Sequence, residues 1–476
     1  MRGRSYKLML VALSALMLIS SAFVQRQLNR QRAVPPIDLT RVAPLENAPP
    51  MLAFTTVALG GFRGLIANAL WIRANELQSD GKYFEMVQLA DWITKLEPTF
   101  VQVWIVQAWN MAYNISVKFP DAPDRWRWVQ RGIELLRDDG LRYNPKEALL
   151  YRELGWFFQH KMGQNLDDAH MYFKYSWAVA MTNLFGGARP NFEELLNPTT
   201  PEARKRAEEL RNRYKMDPNV MREVDQAYGP LEWRLPEAHA MYWAHLGLKH
   251  SKKKDLITLR RVIYQSMQMS VLRGRLISLS PLAFGPDLDK AAQGNAAYER
   301  MMEEETEMKF AVATGHKSYL VQLVYLSYAH NRLKEANQWF VLLKQRYPEA
   351  VKPGLTVEEF ALERLMGTLE IPGHDRTKAI IEGLITQHFY SLALDDDDRA
   401  EGADAMARKL WNIYTERSGR VREALKLMPY SDMKAAILQD ILKNGSNFPL
   451  PMQLRLRTRL NLPAPPADKP VSGSTP

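Results

Sequence analysis

The sequence predicts an all-α protein, and three observations support that fold class. Residues with high helix propensity (Ala, Leu, Met, Arg, Glu and Gln) dominate the 476-residue chain, whereas alternating runs of β-branched residues hardly occur. A hydrophobic fraction of 46% is typical of a folded protein. Residues 81–98, GKYFEMVQLADWITKLEP, repeat apolar side chains at steps of three and four: Met86, Leu89, Ala90 and Ile93. This spacing predicts one buried helix face.

The N-terminus predicts a membrane signal. Residues 1–7 form a basic segment, residues 8–24 are an uncharged apolar run, and three arginines follow before residue 33. The run of 17 residues is shorter than the about 20 that usually span a bilayer, but flanking arginines can extend its reach. We therefore expect a retained transmembrane signal anchor, single-pass in the inner membrane, with the body on the periplasmic side. The alternative is cleavage after Ala22.

Proline-rich segments lie on both sides of the body of the chain. Residues 25–50 predict an extended linker, since residues 32–50 contain five prolines and little periodicity. Residues 463–476 are rich in Pro and Ser and predict a disordered tail.

The helix pair that ends at Pro98 is followed by degraded copies. Trp104, Ala108 and Met111 repeat the large, small and large packing positions of a first helix. This pair closes at Pro145, 47 residues after Pro98, and a Pro-containing loop at 118–125 would explain the surplus over the about 34 residues of a standard repeat. A third, weaker copy covers residues 154–173.

Later copies complete the pattern. The clearest is LKEANQWFVLLKQRYP at 333–348, with a small residue at Ala336, an aromatic one at Phe340 and an apolar one at Leu343. Its first helix is predicted at 318–331. A weaker pair is predicted at 238–248 with 256–269.

These motifs resemble the tetratricopeptide-repeat (TPR) family. The resemblance implies a right-handed solenoid of helix pairs with a concave groove lined by first helices, and it implies binding of a protein or peptide. It divides the body into N-terminal TPR-like repeats at 51–200, further helical repeats at 201–350 and a C-terminal helical region at 351–462. The alternative is an irregular all-α domain in which the Pro and Ala spacing is coincidental.

The resemblance also assigns groove-facing positions on the first helices. Amides at such positions would bond a peptide backbone, and aromatic rings would cover its side chains. The alternative for each residue is packing between repeats. A C-terminal carboxylate ligand is not predicted, because the lysines of the family's carboxylate clamp are missing. The candidate groove residues are Asn68, Trp71, Asn75, Gln78, Gln102, Trp109, Tyr113, Arg152, Trp156 and Gln159.

Charge and composition exclude several function classes. Of the net charge of +10, residues 1–50 carry +5 and residues 451–476 carry +3, so the body is nearly neutral and nucleic-acid binding is not expected. The chain has no cysteine, which excludes disulfides and thiolate sites.

No sequence motif predicts catalysis, a cofactor or a metal. Zinc-protease, nucleophile-elbow, phosphate-loop and dinucleotide signatures are absent. His239, His245 and His250 fall on different sides of a helix and are interpreted as polar-face residues. The acidic run 395–398 is interpreted as a solvated loop before a helix at 399–414.

The sequence thus predicts a non-enzymatic, membrane-anchored TPR-like scaffold for protein–protein interaction in the bacterial envelope. An alternative comes from the tryptophans, eight of which lie between residues 71 and 177. Most are expected to pack between helices, but aromatic rings also stack on sugars. The alternative function is therefore a carbohydrate- or peptidoglycan-binding, or glycan-active, helical protein.

Overall fold

The computed structural model describes residues 2–32, 62–251, 256–280, 282–367, 374–418, 427–443 and 448–463. Over these residues the chain is mostly helical, and the one sheet among them has two strands. The predicted all-α class is confirmed. The predicted linker beyond residue 32 and the predicted tail beyond residue 463 lie outside the described residues.

The chain divides into two compact units, which we describe separately. Unit 1 comprises Met1–Asp80 and Gln88–Glu97, and unit 2 comprises Gly81–Val87 and Pro98–Pro476. The helices of unit 1 are α1 (Arg2–Arg32), α2 (Phe62–Ser79) and most of α3 (Tyr83–Leu96).

Helix α1 contains the predicted anchor, and the membrane prediction is wrong. Within the described part of the chain, none of the helices combines the length and the apolar character that a membrane crossing requires. The uncharged run of 17 residues falls short of the about 20 needed. It includes three serines, and α1 continues past it through three arginines. The predicted transmembrane helix and the single-pass inner-membrane localisation are therefore corrected.

The first part of unit 2 interrupts its α-helices with three π-helices, whose backbone bonds run from residue i to i−5. The N–H of Gly163 donates to the carbonyl of Phe158 at 2.9 Å, which is such a bond. The elements are α4 (Val101–Trp109), π1 (Asn110–Ile115), a 3₁₀ turn (Ser116–Lys118), α5 (Ala122–Glu134), π2 (Leu135–Gly140), α6 (Leu141–Tyr143), α7 (Ala148–Trp156), π3 (Phe157–Met162) and α8 (His170–Phe185).

The middle of unit 2 adds shorter helices and the hairpin. Its elements are α9 (Phe192–Leu196), α10 (Pro201–Asn212), α11 (Pro218–Tyr228), α12 (Pro236–His250), α13 (Leu256–Arg273), β1 (Arg275–Leu279) and β2 (Leu282–Gly285). The helices α12 and α13 pack together at the positions where a weaker helix pair was predicted. The antiparallel hairpin was not predicted, because each strand is too short to show an alternating pattern.

The last part of unit 2 is regular in its helices. Its elements are a 3₁₀ turn (Leu288–Lys290), α14 (Ala291–Glu304), a 3₁₀ turn (Thr306–Met308), α15 (Lys309–Ala329), α16 (Leu333–Arg346), a 3₁₀ turn (Pro348–Ala350), α17 (Val357–Met366), α18 (His374–Ala393), α19 (Asp397–Ser418), α20 (Tyr430–Ile441) and α21 (Leu450–Arg459). Helix α16 buries Ala336, Phe340 and Leu343, as the clearest predicted copy requires. Helix α15 begins at Lys309, nine residues before the predicted start at 318.

Large aromatic side chains form much of the core of unit 2. Of the eight tryptophans between residues 71 and 177, three are buried (Trp104, Trp126 and Trp177), four are partly buried and Trp92 is exposed. Trp233 and Trp243 are also buried.

The polar-face interpretation of His239 is wrong. Its ring is fully buried and stacks on Phe158 with a centroid distance of 5.3 Å. Its Nε2 donates to the Trp233 carbonyl at 2.8 Å, and burial lowers its pKa to about 4. An isolated histidine can therefore replace an aromatic core residue once one ring nitrogen has a backbone partner.

Three of the four aspartates at 395–398, a run that we name the four-aspartate turn, are exposed as predicted, but Asp396 is buried and helix α19 begins at Asp397 rather than at 399. Arg459 pairs with Asp395 and Asp397, Arg332 pairs with Asp398 at 3.6 Å, and the buried Asp396 lies 3.6 Å from Arg275. The turn thus collects ion pairs from the hairpin, from the α15–α16 connection and from α21.

Candidate functional site

Two facing helical segments of unit 2 present four aromatic rings, which we name the aromatic face: Trp109, Tyr113, Trp156 and His160. Trp109 stacks on Tyr113 with ring centroids 4.4 Å apart, and Trp156 stacks on His160 at 4.5 Å. Tyr113 Oη lies 3.1 Å from His160 Nδ1 and joins the two pairs. All four side chains are partly exposed. The face is therefore rigid and also accessible.

Each stacked pair spans the junction of an α-helix with a π-helix. It begins at the last α-helical residue and ends four residues later, inside π1 or π3. Residues four positions apart lie on one face of a helix, so the two rings of a pair can stack.

A buried carboxylate fixes the base of the aromatic face. Glu153 Oε2 accepts a hydrogen bond from Trp109 Nε1 at 2.7 Å, and Glu153 Oε1 accepts one from Arg152. The Arg152 guanidinium lies 5.2 Å from the centre of the Trp156 ring, within cation–π range. Arg152 thus contacts both the ring of Trp156, in the second stacked pair, and Glu153, the carboxylate that holds Trp109 in the first pair.

A cavity of about 350 Å³ adjoins the aromatic face. Its exposed apolar rim consists of Leu166, which is 70% exposed, and Val117, which is 47% exposed. Its lining residues are Tyr113, Val117, Arg125, His160, Lys161, Leu166, Asp167 and Asp168.

The wall of the cavity contains a buried ionic triad: Asp167, Lys161 and Arg125. Asp167 accepts from Lys161 Nζ at 2.6 Å, from Arg125 Nη1 at 3.2 Å and from the Ala169 N–H at 2.9 Å. Burial alone would raise the pKa of Asp167, but these donors and the charge of Lys161 outweigh it and hold that pKa below its usual value. Asp167 therefore stays ionised beside its two cationic partners, whereas burial lowers the pKa of Lys161.

Burial also determines the charge state of the two rings at the cavity. It lowers the pKa of His160, and the charge of Lys161 lowers it further. Burial and the charge of Glu153 raise the pKa of Tyr113. At neutral pH both rings are therefore uncharged, and the surface that they present is apolar with one hydrogen-bonded polar edge.

A second buried lysine supports the loop that carries Asp167. Lys174 Nζ donates to the Gln164 carbonyl at 3.1 Å and lies 2.9 Å from His170 Nδ1. Burial, assisted by the charge of Arg273, lowers the pKa of Lys174 to about 8. The loop is thus held by two buried cations, one at each end.

Nine of the ten predicted groove residues fall into three groups in the structure. Asn68, Trp71, Asn75 and Gln78 lie on α2 of unit 1, where the three amides are exposed. Gln102 is exposed on α4. Trp109, Tyr113, Arg152 and Trp156 come together in the aromatic face and at its base.

Gln159 is the exception, and its groove-facing prediction is corrected. Its side chain is buried, and Nε2 donates to the Val262 carbonyl at 3.2 Å and to Ser266 Oγ at 3.0 Å. The wider turn of π3 rotates Gln159 away from the face of Arg152 and Trp156, towards α13.

Sequence reasoning missed His160 and the ionic triad. The spacing of four residues between Trp156 and His160 was visible in the sequence, but the histidine was not interpreted. Nothing in the sequence pairs Arg125 with Asp167, because the two residues are 42 positions apart and meet only through the fold. Within the described ranges, no group of three or more His, Asp or Glu side chains is arranged to hold a metal ion.

Comparison with known proteins assigns the chain to no family. The chain matches no family model, no curated protein and no solved structure.

Proposed function

We propose that this protein is a helical binding module that holds a segment of a partner protein on the aromatic face. The observation that supports the proposal is that two stacked ring pairs, both partly exposed, lie beside a cavity with an exposed apolar rim. Protein binding is also what the resemblance to TPR repeats implies.

The aromatic face has the physical properties of a binding hot spot. Its rings are already fixed by stacking and by the hydrogen bond from Trp109 to Glu153, so little side-chain entropy is lost on binding. Tryptophan, tyrosine and arginine carry a disproportionate share of binding energy at protein interfaces. Solvent-exposed Leu166 beside these rings adds apolar area that a partner would remove from water.

The charges of the cavity define which partner group fits. Arg125 and Lys161 both pair with Asp167, and Asp168 also lines the cavity, so the cavity lining is balanced in charge. The ionic triad already satisfies its own members. We therefore expect an apolar side chain of the partner to enter the cavity, with its backbone bonded at the polar edge of Tyr113 and His160.

Two matched surface substitutions test this function. Leu166→Glu places a charge at the cavity rim, and Leu333→Glu makes the same change on α16, where the leucine is 53% exposed. Both residues are exposed, so neither change should alter the melting temperature much. The tagged full-length protein and each variant are used to capture partners from a detergent-solubilised cell extract.

We expect a discrete, stoichiometric protein with the unmodified chain and with Leu333→Glu, and its loss with Leu166→Glu. Equal capture by both variants would remove the aromatic face from the function. Retention on glycan or peptidoglycan without any protein partner would replace the proposed function with the carbohydrate alternative.

A further inference from the structure

We infer that unit 2 contains a second binding site, the C-terminal groove, which takes an acidic, apolar segment of a partner protein. The groove lies among α18, α19, α20 and the end of α21, and its volume is about 710 Å³. Its lining residues are His388, Phe389, Arg408, Trp411, Pro429, Tyr430, Ser431, Lys434, Ala435, Leu438 and Leu460.

The floor of the groove is apolar and fixed in place. Trp411, Leu438 and Leu460 are partly buried against the core that contains Phe389. The Trp411 Nε1 donates to the Met428 carbonyl at 2.9 Å, which holds the indole in one orientation. This floor offers a partner apolar contact without reorganisation of the ring.

The rim of the groove has an excess of positive charge. Arg408 and Lys434 both pair with one carboxylate, Asp404, at 3.2 Å and 2.6 Å. The Tyr430 hydroxyl donates to the same carboxylate at 2.9 Å. Two cations therefore share a single anion, and the groove lining itself contains no carboxylate. A negative group on a ligand would complement this excess.

His388 does not change that balance at neutral pH. Its Nδ1 lies 2.9 Å from the Ala400 carbonyl, so this nitrogen carries the proton and donates it. Burial lowers the pKa of the ring, so Nε2 remains unprotonated. The histidine is neutral, and Arg408 and Lys434 alone provide the positive charge.

The charge pattern distinguishes this site from the aromatic face. The cavity beside the aromatic face has two cations and two carboxylates in its lining, whereas the C-terminal groove has two cations that share Asp404. An apolar floor with a cationic rim fits a peptide in which aliphatic or aromatic side chains alternate with Asp or Glu. The first site selects an apolar side chain, and the second selects an apolar side chain beside a carboxylate.

Neighbouring alanines of α20 provide a matched test. Ala435 and Ala436 are both exposed, but only Ala435 lines the groove. Ala435→Glu puts a carboxylate next to Lys434 and fills part of the groove, while Ala436→Glu makes the same change in charge outside it. The probe is a short fluorescein-labelled peptide of alternating leucine and aspartate, and its binding to the full chain is followed by fluorescence anisotropy.

We expect Ala435→Glu to weaken binding of the probe by at least about tenfold, and Ala436→Glu and Leu166→Glu to leave it unchanged. Equal melting temperatures for the two alanine variants show that folding is not the cause. The inference is overturned if both variants bind alike, if the same peptide with asparagine in place of aspartate binds equally well, or if a free fatty acid binds and the peptide does not. Because Leu166→Glu is in the other site, failure here is distinguishable from failure of the proposed function.

Discussion

Two regions of unit 2 differ in how their helices are built and packed. Residues 309–366 build α15, α16 and α17 as uninterrupted α-helices, and the small residue at their contact is Ala336. Residues 101–185 interrupt three helices with π turns, and there Gly132 lies against Ala108, Ala112 and Phe157. In the regular region, each helix turns the same side towards the core along its length. In the π region, the side turned towards the core changes where an α-helix becomes a π-helix, and the stacked rings lie at these junctions.

The two regions also differ in what they bury. The π region buries acidic and basic side chains, including Lys161, Asp167 and Glu153. The regular region buries neutral groups such as His316, whose pKa burial lowers to about 4. Buried charge is costly unless it is fully paired. Asp167 has such partners in Lys161 and Arg125, so the stability of the π region depends on keeping these ion pairs intact.

The largest expected effect comes from the ionic triad. Asp167→Asn removes the carboxylate that Lys161 Nζ contacts at 2.6 Å and leaves this buried ammonium without its paired anion. We expect a loss of about 3–5 kcal/mol in the free energy of unfolding, measured by urea titration.

An exposed pair serves as the control for that measurement. Asp440→Asn breaks the solvated pair with Lys443 and should cost no more than about 0.5 kcal/mol. A loss of similar size for both variants would show that the triad is no more important than a surface pair, and would remove the contrast between the two regions.

A smaller effect is expected where helices approach closely. A Cβ at Gly132 would lie 2.9 Å from the Ala108 carbonyl oxygen, a backbone atom that cannot move aside. Gly132→Ala should therefore cost about 1–3 kcal/mol, although alanine usually stabilises a helix. At Gly383 in α18, a Cβ meets nothing within 4 Å, so Gly383→Ala should stabilise by about 0.5–1 kcal/mol. Opposite signs in thermal melts confirm the close contact, and equal signs contradict it.

Two glutamines from the same sequence prediction should now behave differently. Gln159→Ala leaves the Val262 carbonyl and Ser266 Oγ without their donor, so we expect a loss of about 1–3 kcal/mol in stability. Gln102→Ala removes an exposed amide and should change stability by less than about 0.5 kcal/mol. A Gln159→Ala variant as stable as Gln102→Ala would contradict a stabilising role for the buried hydrogen bonds of Gln159.

The smallest expected effect concerns a helix start in the regular region. Thr356 and Glu359 form a reciprocal capping box at the beginning of α17, with the Glu359 N–H donating to Thr356 Oγ1 at 3.2 Å. Thr356→Ala should cost about 1 kcal/mol in chemical denaturation. Thr356→Ser keeps the hydroxyl and should be close to neutral. If serine and alanine cost the same, the methyl contact rather than the cap determines stability here.

The sequence predicted what depends on composition and local periodicity. The all-α class follows from helix-favouring composition and scarce strand patterns, and the burial of Ala336, Phe340 and Leu343 follows from spacing of three and four residues. Prediction failed at Gln159, because nothing in its local sequence shows that the helix widens into a π turn. It also failed for Arg125 with Asp167, since the fold alone brings them together. The membrane anchor was predicted from charge order and an apolar run that proved too short.

The four-aspartate turn has a consequence for how the chain unfolds. Its carboxylates connect the hairpin through Arg275, the α15–α16 connection through Arg332, and α21 through Arg459. The pairs at the exposed Asp395, Asp397 and Asp398 contribute little individually, and the pair of Arg275 involves the buried Asp396. Because the four carboxylates are consecutive, local opening of this run would break all of these pairs together. The C-terminal part of unit 2 should therefore open as one cooperative unit, with slow amide exchange in α21 and the hairpin reporting a single event. A high salt concentration would weaken these ion pairs and allow the segments to open independently.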